Sequence, residues 1–102
     1  YYFPADKIHY DIIMMPYVEI YYEAGALERA NEEVKKLATV CDEELAYFLT
    51  LDPEFADNIY GQEMQQDIAI LRRLAEVTLE NGEEELSEEI EATLMRHLQI
   101  LQ

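Results

Sequence analysis

Turn-forming residues are scarce in this 102-residue chain, with Gly 3 and Pro 3. So few of them argue against a many-stranded β fold and favour long helices. Cations are scarce as well: Lys+Arg 7 stand against Asp+Glu 23, a formal net charge of -16. Bare nucleic acid is therefore excluded as a partner, because its phosphates need cations to neutralise them. With a single cysteine, Cys41 has no internal disulfide partner and does not report the redox compartment. No apolar run reaches the about 18 residues that a bilayer-spanning helix needs, so this segment does not insert into a membrane. What is abundant is apolar residues, at 50% of the chain. That excludes disorder despite the charge and suffices for one modest domain around one core.

Hydrophobic periodicity predicts an all-α protein. Residues 1–13 mix aromatics, Pro4 and Asp6 without a clean period and are expected to form a lead-in segment packed on the domain. The opening Tyr1-Tyr2-Phe3-Pro4 lacks the basic n-region of a signal peptide and reads as a mature product or an excised domain with sequence upstream. A first helix is expected from about Met15 to Ala24, because Pro16 is best tolerated in a first turn and Gly25 suits a left-handed C-cap. The second is the clearest: Leu27, Ala30, Val34, Leu37, Cys41, Leu45 and Phe48 recur at alternating steps of about three and four residues. Cys41 falls on that stripe beside Asp42, Glu43 and Glu44. These acids disfavour a thiolate, so it is expected as a small buried hydrophobe.

Asp52 followed by Pro53 signals an N-cap and first helical position, with a short helix expected through about residue 60 and a break at Gly61. A further helix carries Met64, Ile68, Leu71, Ala75 and Thr78, with Leu74 and Leu79 widening the face, and Asn81-Gly82 closes it. The last uses Leu86, Ile90, Leu94, Leu98 and Leu101, starting near Glu83 or Glu84. The expected architecture is two antiparallel helical hairpins, about residues 14–50 and 62–101, joined through a short extra helix at about 53–60.

Both hairpins share an outline. Tyr21, Gly25, Ala30 and Val34 match the middle of a tetratricopeptide-type (TPR-like) repeat: tyrosine packs the first helix, glycine makes the turn, alanine admits close contact. Around Gly82 the match is weaker, with Thr78 in place of the tyrosine and Ser87 in place of the alanine. The spacing of the two glycines far exceeds the period of about 34 of a regular array.

As a string, Phe3-Pro4-Ala5-Asp6-Lys7, Met14 to Glu19 (MMPYVE), Tyr21-Tyr22-Glu23-Ala24-Gly25 and Leu51-Asp52-Pro53-Glu54-Phe55 resemble the C-terminal tail of one family. The stretch from Gln65-Gln66 through Leu71-Arg72-Arg73-Leu74 continues the likeness. That family is the large bacterial multi-spanning membrane proteins of unknown function that are similar to protein O-mannosyltransferases. The resemblance implies a soluble helical tail without the membrane helices or the acidic loop residues of the enzyme. It also implies an extracytoplasmic location, tethered through upstream sequence.

No chemical constellation stands out. His9 and His97 lack a second histidine or cysteine at metal-ligand spacing, and Leu94 stands where a Glu-x-x-His motif needs a carboxylate. His97 is expected at the edge of the last apolar face, near the negative helix end. The glutamates at 80, 83–85, 88, 89 and 91 lack a calcium-loop pattern and are expected to form a solvated face. Gly25, Gly61 and Gly82 are isolated, which gives no phosphate loop. Ser87, the one serine, sits among glutamates and is no nucleophile candidate.

No catalytic residue, cofactor or metal site is therefore assigned. The expected function is a non-catalytic interaction module that binds protein, either its own membrane domain or a partner chain. Tyr17, Glu19 and Tyr22 are the candidate surface, since tyrosine is enriched at interfaces. Two alternatives stand beside it: a tail lending acidic residues such as Asp11 and Glu19 to a sugar-transfer site, and a free-standing acidic protein that binds basic partners.

Overall fold

The computed structural model describes the backbone of residues 10–101 and the side chains of residues 15–100. The lead-in segment expected at the start of the chain lies largely outside them. Among the described residues the fold is all-α: α1 (Tyr10–Glu23), α2 (Leu27–Phe48), α3 (Pro53–Glu80) and α4 (Glu84–Leu101). Helices α1 and α2 form one hairpin, α3 and α4 a second, and α2 packs on α3 to join them. Val18 and Tyr22 of α1, the Ala30-to-Phe48 stripe of α2, Leu71, Leu74 and Ala75 of α3, and Leu86, Ile90 and Leu94 of α4 form one core. Cys41 is fully buried in it.

The two hairpin turns are built alike. The Gly25 N–H donates to the Tyr22 carbonyl at 3.1 Å and the Ala26 N–H to Tyr21 at 2.9 Å. In the second turn the Gly82 N–H donates to Leu79 at 3.1 Å and the Glu83 N–H to Thr78 at 2.8 Å. Both pairs are the crossed bonds of a Schellman cap, which need a residue with positive φ at the C′ position. Gly25 and Gly82 supply it, at φ 77 and 80. The alignment of Tyr21 with Thr78 and of Ala30 with Ser87 therefore holds in three dimensions. Ala30 and Ser87 are both buried, and the Ser87 hydroxyl donates to the Ala75 carbonyl at 2.7 Å, tying α4 to α3.

Two expected boundaries are corrected. Gly61 does not break the chain: α3 runs unbroken through it for 28 residues, so no separate short helix joins the hairpins. An interior glycine costs about 1 kcal/mol against alanine. The Tyr60 ring stacks on Phe48 at 4.6 Å, with Tyr47 and Phe55 at its edges. Aromatic pairs contribute about 0.5–1.5 kcal/mol each beyond burial, enough to offset the glycine. The N-cap is as expected, with the Asp52 carboxylate accepting from the Glu54 N–H at 2.9 Å and Pro53 opening the helix.

Likewise Pro16 lies inside α1, which starts at Tyr10 and not near Met15. Proline forfeits the bond to the Ile12 carbonyl. Packing outweighs that loss, since Met15 rests against the core and Val18 is fully buried. Leu27 and Leu79, both assigned to apolar stripes, are 44% and 56% exposed, and each stands beside a hairpin turn.

Candidate functional site

The structure separates the three residues expected to form one contact surface. Tyr17 is 48% exposed on α1, and Ile20, one turn further on, is 54% exposed. Together they present apolar surface on the side of α1 turned away from α2. Tyr22 belongs to the opposite face. It is buried at 6% exposure, and its hydroxyl donates to the Asn31 Oδ1 at 2.6 Å across the hairpin. Burial, and secondarily the charge of Glu83, pushes the Tyr22 phenol up to about 12. A ring so placed pins α1 to α2 and is not presented to a partner, so its assignment to the surface is corrected.

Glu19 is half-buried and also committed within the fold. Its Oε1 accepts from both Nη2 and Nε of Arg73 on α3, the latter at 3.1 Å. The same guanidinium reaches Glu76 at 3.2 Å and Glu80 at 3.4 Å. The hydrogen bond to Glu19 is the main influence raising the Arg73 pKa, with Glu76 and Glu80 adding to it. One cation thus gathers three carboxylates and links the first helices of the two hairpins. The side chain of Asp11, the other acid considered for sugar transfer, lies outside the described residues.

A polar cluster that periodicity alone does not reveal sits between α2 and α4. The Asp42 Oδ1 lies 2.6 Å from the His97 Nε2 and accepts from the Arg96 Nη2 at 2.6 Å. His97 is buried at 3% exposure and its Nδ1 has no hydrogen-bond partner. Its place is inside the interface and not at the edge of the apolar face. The sequence does hold one signal: His97 follows Leu94 by three residues on the apolar stripe, and a buried polar group needs a partner. Nothing in the spacing names that partner as Asp42.

This cluster opens onto a groove. A cavity of about 440 Å³ is lined by Asp42, Arg96 and His97 together with Leu49 and Ile100. A second, of about 460 Å³, shares Leu49 and Ile100 and continues over Phe48 and Met64 to Glu54 and Asp57 at the start of α3. The glutamates of α4, by contrast, are mostly exposed and form the solvated face expected of them. Among the described residues no helix is long and apolar enough to cross a membrane, and no three metal-ligating side chains converge. In comparisons with known proteins, no family model, no curated protein and no solved structure matches the chain.

Proposed function

We propose that this chain is a non-catalytic helical interaction module of tetratricopeptide type. The observation that carries the reading is the exposure of Tyr17 and Ile20, one turn apart on the first helix of a hairpin whose turn recurs in the second hairpin. In stacked hairpins the first helices line the shared face, and the Glu19–Arg73 bond brings the first helices of these two together. Large apolar side chains there favour a protein partner. Glu19 borders the same helix face, but its carboxylate is engaged by Arg73, which supports a positioning role over a part in sugar transfer.

By the resemblance of its segments, the module is the soluble C-terminal tail of a glycosyltransferase-like membrane protein, held outside the cytoplasm by upstream sequence. The coding sequence preceding Tyr1 tests this parentage: a series of membrane-spanning segments supports it, and a start codon there overturns it. The contact itself is tested by placing a photo-crosslinking side chain at position 17, 20, 88 or 91 of the full-length protein in cells. Crosslinks to protein from positions 17 and 20, and none from 88 and 91, are expected. Equal yields from both faces, or no product from α1, would reject the α1 face as the contact.

A further inference from the structure

The groove between the end of α2, the start of α3 and the end of α4 lies away from the Tyr17–Ile20 face and has a chemistry of its own. Its floor is apolar, formed by the buried Phe48 and Met64. Leu49 and Ile100 form the wall shared with the cavity beside His97, and Ile100 is 62% exposed. A large aliphatic side chain left that open on the last turn of a packed helix has apolar surface still to bury. Glu54 and Asp57, one turn apart on α3, supply the rim. No lysine or arginine lines this part of the groove. Among the described residues neither Glu54 nor Asp57 meets a cation, in contrast to Glu19, Glu33 and Asp42.

We infer that this groove docks a short segment of a basic partner protein, with a leucine- or phenylalanine-sized anchor over Phe48 and Met64 and flanking Lys or Arg side chains against Glu54 and Asp57. Charge complementarity selects this occupant over a second copy of the chain. At a net charge of -16, two copies repel one another, and each would bring carboxylates to the other's acidic rim. A basic segment gains at both ends of the contact, since long-range attraction speeds encounter and the desolvated anchor sets residence time. The inference rests on the interaction-module reading but on a different face, so a failure of the α1 crosslinks leaves its own test intact.

The test uses the whole chain, residues 1–102, and two fluorescein-labelled synthetic helical peptides, one of lysine and leucine and one of equal charge with alanine for leucine. Anisotropy titrations at 150 mM NaCl are expected to show the leucine peptide binding at least tenfold more tightly. Ile100→Asp should weaken it at least tenfold. The pair Glu54→Gln with Asp57→Asn should weaken it about fivefold, whereas Glu88→Gln with Glu91→Gln, removing the same charge elsewhere, should change it less than twofold. Circular dichroism confirms that each variant is folded, and all five exposed substitutions lie off the core. Equal binding of the two peptides, or equal loss from both charge pairs, would show attraction to bulk charge only and overturn the inference. A concentration-dependent dimer in sedimentation velocity that Ile100→Asp dissolves would overturn it in favour of self-association.

Discussion

Asp42 of α2 and His97 of α4, 55 residues apart in sequence, meet with Oδ1 and Nε2 2.6 Å apart. Direct packing between these two helices is sparse beside that of α3 on α4, and this bond and the neighbouring Arg96–Asp42 pair make a polar tie across that interface. The two contacts are not equivalent. His97 is buried, while the Arg96 side chain is 59% exposed. Removing the partner of a buried polar group costs about 1–3 kcal/mol, whereas an exposed ion pair contributes about 0–1 kcal/mol. Asp42→Ala is therefore expected to destabilise the fold by about 1–3 kcal/mol and Arg96→Ala by less than about 1 kcal/mol. Urea denaturation followed by circular dichroism measures both, and equal losses would mean that the exposed pair carries the tie.

The glycines separate by backbone geometry. Gly61 sits inside a helix, and a Cβ built there meets only the Asp57 Oδ1, at 3.5 Å, an ordinary contact. Gly61→Ala should stabilise the protein by about 0.5–1 kcal/mol, the helix-propensity difference. Gly25 and Gly82 also have open space around a built Cβ, but their φ values are 77 and 80. Gly25→Ala and Gly82→Ala are expected to destabilise by about 1–2 kcal/mol each. Thermal melts should rise for Gly61→Ala and fall for the other two variants, and a lower melting temperature for Gly61→Ala would show that the helix cannot accept a Cβ at that position.

What was legible in the sequence was local. The stripe from Ala30 to Phe48, the Asp52-Pro53 start and the stops at Gly25 and Gly82 each follow from periodicity or cap chemistry within a few residues, and all are present. The errors at Gly61 and Pro16 share one cause: a residue that weakens a helix in isolation is overridden by packing with distant partners. Tyr60 finds Phe48, twelve residues earlier on another helix, and no window around Gly61 contains that ring. The placement of Tyr22 on the surface failed for a related reason. Tyr17 and Tyr22 look alike in sequence, and only the Asn31 contact, made possible by the Gly25 turn, decides which of them is inside. Glu19 could not be matched to Arg73, nor Asp42 to His97, because each pair spans more than fifty residues.

Arg73 stands among Glu19, Glu76 and Glu80, and its loss should cost more than the loss of any one of them. Its side chain and that of Glu19 are each 40% exposed, so Glu19→Gln is expected to destabilise by less than about 1 kcal/mol. Arg73→Gln removes the same bond and also leaves three carboxylates facing one another, so its effect should be the larger. The excess is Coulombic. It should shrink between 20 mM and 1 M NaCl, where the screening length falls to about 3 Å. A salt-independent difference between the two variants would assign the effect to lost packing of the arginine stem instead.

The Tyr22 hydroxyl gives the protein a defined response to alkali. Its pKa is raised from the ordinary 10.0 of a tyrosine to about 12, first by burial and second by Glu83. In the unfolded chain the phenol ionises at its ordinary value, while in the folded chain it keeps its proton longer. Above pH 10 the unfolded state therefore binds fewer protons than the folded state, and stability falls as pH rises. The contribution is whole below pH 10 and is lost as pH passes through about 12. Tyr22→Phe removes the titrating group together with the hydrogen bond to Asn31. At pH 7 that variant should be less stable by about 0.5–1.5 kcal/mol, the net worth of one such bond. Its deficit should narrow steadily from pH 10 upward, because the wild-type loses an advantage that the phenylalanine variant does not have. Every other ionisable group is common to both proteins and cancels in the difference. Urea midpoints of the pair from pH 7 to 11.5 make the measurement, and a deficit that stays constant across that range would show that ionisation of Tyr22 is not coupled to folding.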